Sequence, residues 1–128
     1  MTLSKRIDLI LASREQLEPF TGNLTRKLLE ETFLREASGT TVRLPKNIVH
    51  IISGNTPHAA FHTLLNGVLL GAQNLLKLPS QTLLDFEVPI PLQPFVEVSR
   101  ELPEHWIPKA DAMVVFGSDN TIRHFQSL

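Results

Sequence analysis

The chain predicts an α/β domain: a mostly parallel sheet preceded by two helices. Three observations carry that expectation. Residues 4–37 repeat apolar side chains at helical spacing among charges, whereas from residue 47 the rhythm changes to short apolar runs. The first of these runs, Ile48 to Ile52, ends in a Gly54-Asn55-Thr56-Pro57 corner, passes into a small-residue helix and meets a second apolar run carrying Lys77. That order is one β-α-β unit, and parallel strands are the ones that need such a crossover.

Composition bounds the rest. One hundred and twenty-eight residues suit one domain with a real core, and 42% hydrophobic with 20% charged residues is ordinary for a globular chain. The net charge is −1 and Lys and Arg do not cluster, so no nucleic-acid footprint is visible. Asn, Gly, Gln or Lys breaks every apolar stretch well short of a membrane span. Met1 leads into Lys5, Arg6 and Asp8 without a long apolar run, which argues against a secretory signal and for a cytoplasmic location. There is no cysteine, which excludes disulfides, thiolate metal sites and a cysteine nucleophile among these residues.

The elements follow in order. Ile7, Leu9, Ile10, Leu11 and Leu17 predict a helix over 4–19, punctuated by Pro19 and Gly22. A second helix is expected over 24–37, with Thr21 or Asn23 as N-cap and Gly39 beyond its end. Its apolar face would be Leu24, Leu28, Leu29 and Phe33, and its solvated face Arg26, Lys27, Glu30 and Glu31. Strands are expected over 47–52, 74–78, 95–99 and 112–116. Pro57 opens the intervening helix, 57–71, where its missing N–H costs nothing. Gly67 and Gly71 would leave a narrow ridge on that helix for close packing. Residues 85–94 carry three prolines and cannot be a regular helix, leaving only 80–86 for a short crossover. A last helix, capped by Ser118 or Asp119, would run toward Leu128.

The segments HIISGNTPHAAFHTLLNGVLLGAQNLLKLPS and ADAMVVFGSDNTIRHF resemble the LuxC-type acyl-CoA reductases of the wider aldehyde dehydrogenase superfamily. The likeness covers residues 48–80 and 109–126, with three strand-end motifs in the family's order. It implies a partial Rossmann-like nucleotide-binding domain of the aldehyde dehydrogenase type over 47–128, with 1–46 as a helical lead-in. The implied activity is reduction of a fatty acyl thioester, acyl-CoA or acyl-protein, to an aldehyde with NADP or NAD. In that family a cysteine accepts the acyl group and hydride from the cofactor then reduces it. Asn55 matches the asparagine whose amide donates to the developing oxyanion, a fixed donor whose loss typically costs about 3 kcal/mol of barrier. Lys77 matches the lysine on the cofactor's adenosine ribose. Gly117 and Ser118 match the Gly-Ser pair at a helix N-terminus facing the pyrophosphate, where N–H groups and the helix dipole favour an anion. Ser80 stands where NAD-preferring relatives often carry a carboxylate; it would not repel a 2′-phosphate, which points to NADP. The family's cysteine lies farther downstream, so these residues are expected to be the cofactor-binding front part, catalytically silent alone. The short connection over 81–94 departs from the family's longer helical crossover.

Each of these residues also has a plainer reading. Asn55 suits a turn or an N-cap, Lys77 can snorkel from a strand end, and Gly117-Ser118-Asp119 reads as a capped helix start. His58 and His62 stand four apart on one helix, but no glutamate follows His58 and no third ligand stands out, so no metal site is expected. His50, His105 and His124 show no pairing in the sequence, and Trp106 is expected to pack under the 103–109 loop. The alternative function is a non-catalytic Rossmann-like module for interaction or nucleotide binding. Under either reading an uncovered sheet edge favours self-association.

Overall fold

In strand β1 (Asn47–Ile52) five successive residues are buried, which requires a central strand covered on both faces. The computed structural model describes residues 1–37, 44–52, 57–79 and 87–116. Around β1 it places α1 (Leu3–Ala12), α2 (Arg14–Thr21), α3 (Arg26–Ala37), α4 (Pro57–Leu69), β2 (Gln73–Lys77), β3 (Val96–Ser99) and β4 (Ala112–Phe116). Short 3₁₀ helices at Ile90–Phe95 and Glu104–Trp106 precede β3 and β4. The fold is α/β, as the sequence predicts, with all four strands parallel in the order β3-β2-β1-β4. The chain builds outward from β1 on one side and then returns to β1's other side with β4.

The expected helix over 4–19 is two helices. Ser13 breaks it: its N–H donates to the Ile10 carbonyl, its buried hydroxyl donates to the Leu9 carbonyl, and α2 starts from the same residue. Pro19 lies inside α2 rather than ending it. Glu15, whose carbonyl loses its partner four residues on, is exposed and can reach water. Gly22, at φ +81, then closes α2. The N-cap of α3 is Thr25, not Thr21 or Asn23: the Leu28 N–H donates to Thr25 Oγ1 and the Leu29 N–H to the Thr25 carbonyl. With that phase Leu29 is buried while Leu28 is exposed, so the expected apolar face is narrower by one leucine.

Lys27, Glu30 and Glu31 are solvated as expected, but Arg26 pairs with Asp8 of α1. Other charges of the helical lead-in also make tertiary bonds. Glu18 accepts from the Leu24 N–H at 2.9 Å. Half-buried Arg6 donates from Nε to the Leu69 carbonyl at 3.1 Å, setting a cation at the C-terminal end of α4 where the helix dipole favours one.

One core lies between the helices and one face of the sheet. Ile7, Ile10, Leu17, Leu29, Leu64, Val68, Leu69, Leu76 and Leu92 meet there, each fully or almost fully buried. Burying a side chain of that size is worth about 2 kcal/mol. Leu92 brings the 3₁₀ helix Ile90–Phe95 into this core, so the proline-rich stretch that cannot form an α-helix still packs as a tighter one. On the opposite face Val49, Ile51 and Leu75 are covered by Trp106, with Leu102, Ala110, Met113 and Val115 around it. Trp106 therefore closes the second face, lying against the sheet within its own loop.

The two glycines of α4 have different tasks. Gly71 lies past the helix, which ends at Leu69, and adopts φ +83; its N–H bonds the Val68 carbonyl while the Ala72 N–H bonds the Gly67 carbonyl. Only Gly67 is a close-packing residue within the helix, and what approaches it is a side chain of β2.

Candidate site at the carboxyl ends of the strands

In an open parallel sheet, ligands bind beyond the carboxyl ends of the strands where the strand order reverses. Here that point lies between β1 and β4, whose last residues, Ile52 and Phe116, are partners in register. Of the expected site residues, Asn55, Ser80, Gly117 and Ser118 lie outside the described residues. So does the expected helix beyond Ser118.

Lys77 is described. It is the last residue of β2, in register with Ile51 on one side and Ser99 on the other, so it stands at the carboxyl edge. It is half-buried, on the Trp106 face by strand alternation with Leu75, and its Nζ lies 3.5 Å from the Leu78 carbonyl. A second cation, which sequence reasoning missed, follows the end of the neighbouring strand. Arg100 follows Ser99, the last residue of β3, and its Nη1 donates to the Pro79 carbonyl at 2.7 Å. The Leu78 N–H donates to the Ser99 carbonyl at 2.8 Å, so the two strand ends remain joined where the cations emerge. The signal was the pairing of the strands, which is absent from a reading of one segment at a time.

Behind this edge lies a buried polar network. His50, 1% exposed at the centre of β1, has Nδ1 2.7 Å from Thr63 Oγ1 of α4 and Nε2 2.8 Å from Asn74 Oδ1 of β2. Asn74 Nδ2 donates to the Ala72 carbonyl at 2.9 Å and the Phe95 carbonyl at 3.2 Å, which orients its oxygen toward His50. The imidazole must then donate from Nε2 and accept at Nδ1 from the Thr63 hydroxyl. Burial disfavours the charged ring and lowers its pKa from 6.5 to about 4, against the opposing effect of the Asn74 bond. The expectation that His50 has no pairing is thus corrected: its partners come from α4 and β2, 13 and 24 residues away. Gly67 makes room for the network, since a Cβ there would fall 1.9 Å from Asn74 Oδ1.

The amino ends of the strands are closed by Asp111. Its Oδ2 accepts from the Lys46 and Asn47 N–H groups at 2.8 and 3.0 Å, and its own N–H donates to the Asn47 carbonyl.

His58 and His62 are both exposed on α4; the His58 ring meets Phe20 edge-on at 5.5 Å between centroids. Among the described residues no three His, Cys, Asp or Glu side chains group as a metal site would require, and no helix is long and apolar enough to cross a membrane. Comparison with known protein families, curated proteins and solved structures finds no match to the chain.

Proposed function

We propose that the chain is the cofactor-binding front part of a LuxC-type acyl-CoA reductase, which reduces a fatty acyl thioester to an aldehyde with NADP or NAD in the cytoplasm. The observation that carries the reading is the strand order: the two segments that resemble the family run through β1, α4 and β2 and through β4. The motifs after β1 and β4 therefore follow the two strands that flank the reversal point, the position ligands take in open parallel sheets, and the Lys77 motif follows β2, the next strand. The described donors suit an adenine nucleotide, because Lys77 is a half-buried cation at the edge where a ribose would lie. When bound, the cofactor would supply hydride. The chain's own share is to hold it through Lys77, Ser80, Gly117 and Ser118, and to offer the Asn55 amide to an oxyanion. The acyl-accepting thiolate has to come from elsewhere, since these residues include no cysteine.

Titration with NADPH, followed by fluorescence or calorimetry, tests the reading. Lys77→Ala and Gly117→Val are each expected to weaken binding about tenfold, the equivalent of ~1.4 kcal/mol. Affinity unchanged by both substitutions would refute the assigned site, and preference for NADH over NADPH would refute the role given to Ser80. A second reading, a non-catalytic module that self-associates, draws support from β3, an outer strand of the described sheet with Val98 38% exposed. Light scattering distinguishes it: a clean monomer at high concentration counts against self-association.

A further inference from the structure

The proline-rich stretch ahead of β3 holds one large apolar side chain outside the core. Pro89 is buried and Leu92 is 0% exposed, which pins the 3₁₀ helix Ile90–Phe95 to the molecule. Ile90, between Pro89 and Pro91, is 78% exposed, the most of any large apolar side chain among the described residues. Prolines on both sides restrict its backbone, so the outward position is built in. Residues three apart eclipse in a 3₁₀ helix, which puts Gln93 on the same side as Ile90. A cavity of about 530 Å³ lies there, within the range of small-ligand sites. Ile90 and Gln93 line it together with Glu87, Val88, Pro91 and, from α2, Gln16.

The polar groups of this cavity are left with acceptor capacity. Gln93 Nε2 donates to the Val88 carbonyl at 3.3 Å, so the Gln93 carbonyl oxygen is its open end. Among the described residues the Glu87 carboxylate and the Gln16 amide make no hydrogen bond or ion pair. One negative charge and the oxygens of three side chains therefore border an aliphatic wall of Val88, Ile90 and Pro91. We propose that the cavity binds a primary alkylammonium. Such a head is charged at pH 7 and carries three N–H donors for the three acceptors, while its carbon stem lies along Ile90. A neutral alcohol brings one donor and no charge, and a carboxylate is repelled by Glu87. The inference is independent of the nucleotide-binding reading, because the 3₁₀ helix leads into the amino end of β3 and that reading concerns the carboxyl edge.

Two sources present this chemistry: a free aliphatic amine and a lysine side chain in a peptide. Titrations with hexylammonium, hexanol, hexanoate and Nα-acetyl-lysine amide, followed by amide chemical shifts in NMR spectra, distinguish them. Hexylammonium is expected to bind with a Kd of about 1 mM, about tenfold more tightly than hexanol, and hexanoate not to bind. The shifts should centre on Gln16 and on Glu87 to Gln93, and the advantage over hexanol should shrink as ionic strength rises. Tighter binding of the lysine amide than of hexylammonium assigns the cavity to a peptide side chain, and the reverse order to a free amine; either supports the proposal. Glu87→Gln should bring hexylammonium to near parity with hexanol, whereas Ile90→Ser should weaken both about equally. Both residues are exposed, so neither change removes a core side chain, and an unchanged circular dichroism spectrum guards against misfolding.

Absence of saturable shifts with both amines overturns the proposal, as does equal binding of hexylammonium and hexanol by the native chain. A full advantage persisting in Glu87→Gln overturns it as well, because the charge would then be read elsewhere. Unchanged affinity for both ligands in Ile90→Ser overturns the placement of the stem and with it the site.

Discussion

The two ends of the sheet are built on opposite plans. At the amino end Asp111 ties β4's entry to the two N–H groups that lead into β1, and the Gln73 N–H bonds the Lys46 carbonyl. The polar groups there bond across strands and fix register. At the carboxyl end Lys77 and Arg100 bring positive charge to the edge, anchored on the carbonyls of Leu78 and Pro79. Between the two ends, the His50 network holds β1, β2 and α4 in one geometry. The difference teaches where selection on stability and selection on chemistry can be told apart. Substitutions at the amino end and in the network should change folding, and those at the carboxyl edge should change binding with little change in folding.

The strongest test of the stability half is Gly67→Ala. In most helices this change stabilises by close to 1 kcal/mol, because alanine loses less backbone entropy. Here the new Cβ would lie 1.9 Å from Asn74 Oδ1 and 2.8 Å from its Cγ, so the amide must move. Moving it breaks its bonds to His50, Ala72 and Phe95 in a buried site. A net loss of about 4 kcal/mol is expected, since buried donors and acceptors would be left unsatisfied. Urea denaturation reads it directly, and a midpoint equal to or above the native one would show that the network is not rigid.

The same network sets a pH dependence. His50 has a folded-state pKa of about 4 against an ordinary 6.5, so below 6.5 the unfolded chain binds a proton that the folded chain refuses. The stability is therefore fully present above that value, falls as pH drops from 6.5 toward 4, and loses nothing more from this group below it. The total is about 3 kcal/mol, of which roughly 2 kcal/mol is lost between pH 7 and pH 5. Denaturation midpoints across that range check the sign. A Thr63→Val variant, which removes a partner of the neutral ring, should lower stability at pH 7 and change the slope; a flat native profile would break the argument.

Much of this architecture was legible in the sequence and some was not, for physical reasons. The four expected strands lie within a residue of their observed bounds, because short β-branched and apolar runs bounded by Gly, Pro or Ser leave few alternatives. The α4 start at Pro57 was equally plain. The break at Ser13 was missed because a serine that bonds back to the chain and one that sits inside a helix look alike in sequence. His50 was missed for a different reason. A buried neutral histidine between valine and isoleucine is satisfied only if one ring nitrogen finds an acceptor and the other a donor, and those partners lie on other elements. The bond from Arg100 to the Pro79 carbonyl is hidden in the same way, since it follows from the β2–β3 pairing. Local pattern specifies elements; the bonds between elements need the fold.

The smallest expected stability effect gives the comparison its sharpest form. Asp111→Ala removes two charge-assisted bonds to the Lys46 and Asn47 N–H groups, which are exposed enough for water to replace them in part. The expected cost is therefore about 1.5 kcal/mol rather than the larger penalty of a buried vacancy. Both bonds end on one oxygen, so Asn at this position can accept both but lacks the charge, and Asp111→Asn should fall between alanine and the native residue. Nucleotide affinity should be unchanged in both variants, because Asp111 lies at the opposite end of β4 from Phe116. Lys77→Ala should give the reverse pattern, a native denaturation midpoint with weakened nucleotide binding. If Asp111→Ala weakens nucleotide binding as much as it weakens folding, the two ends are coupled through β4. The carboxyl edge would then depend on register set five residues away rather than on its local cations.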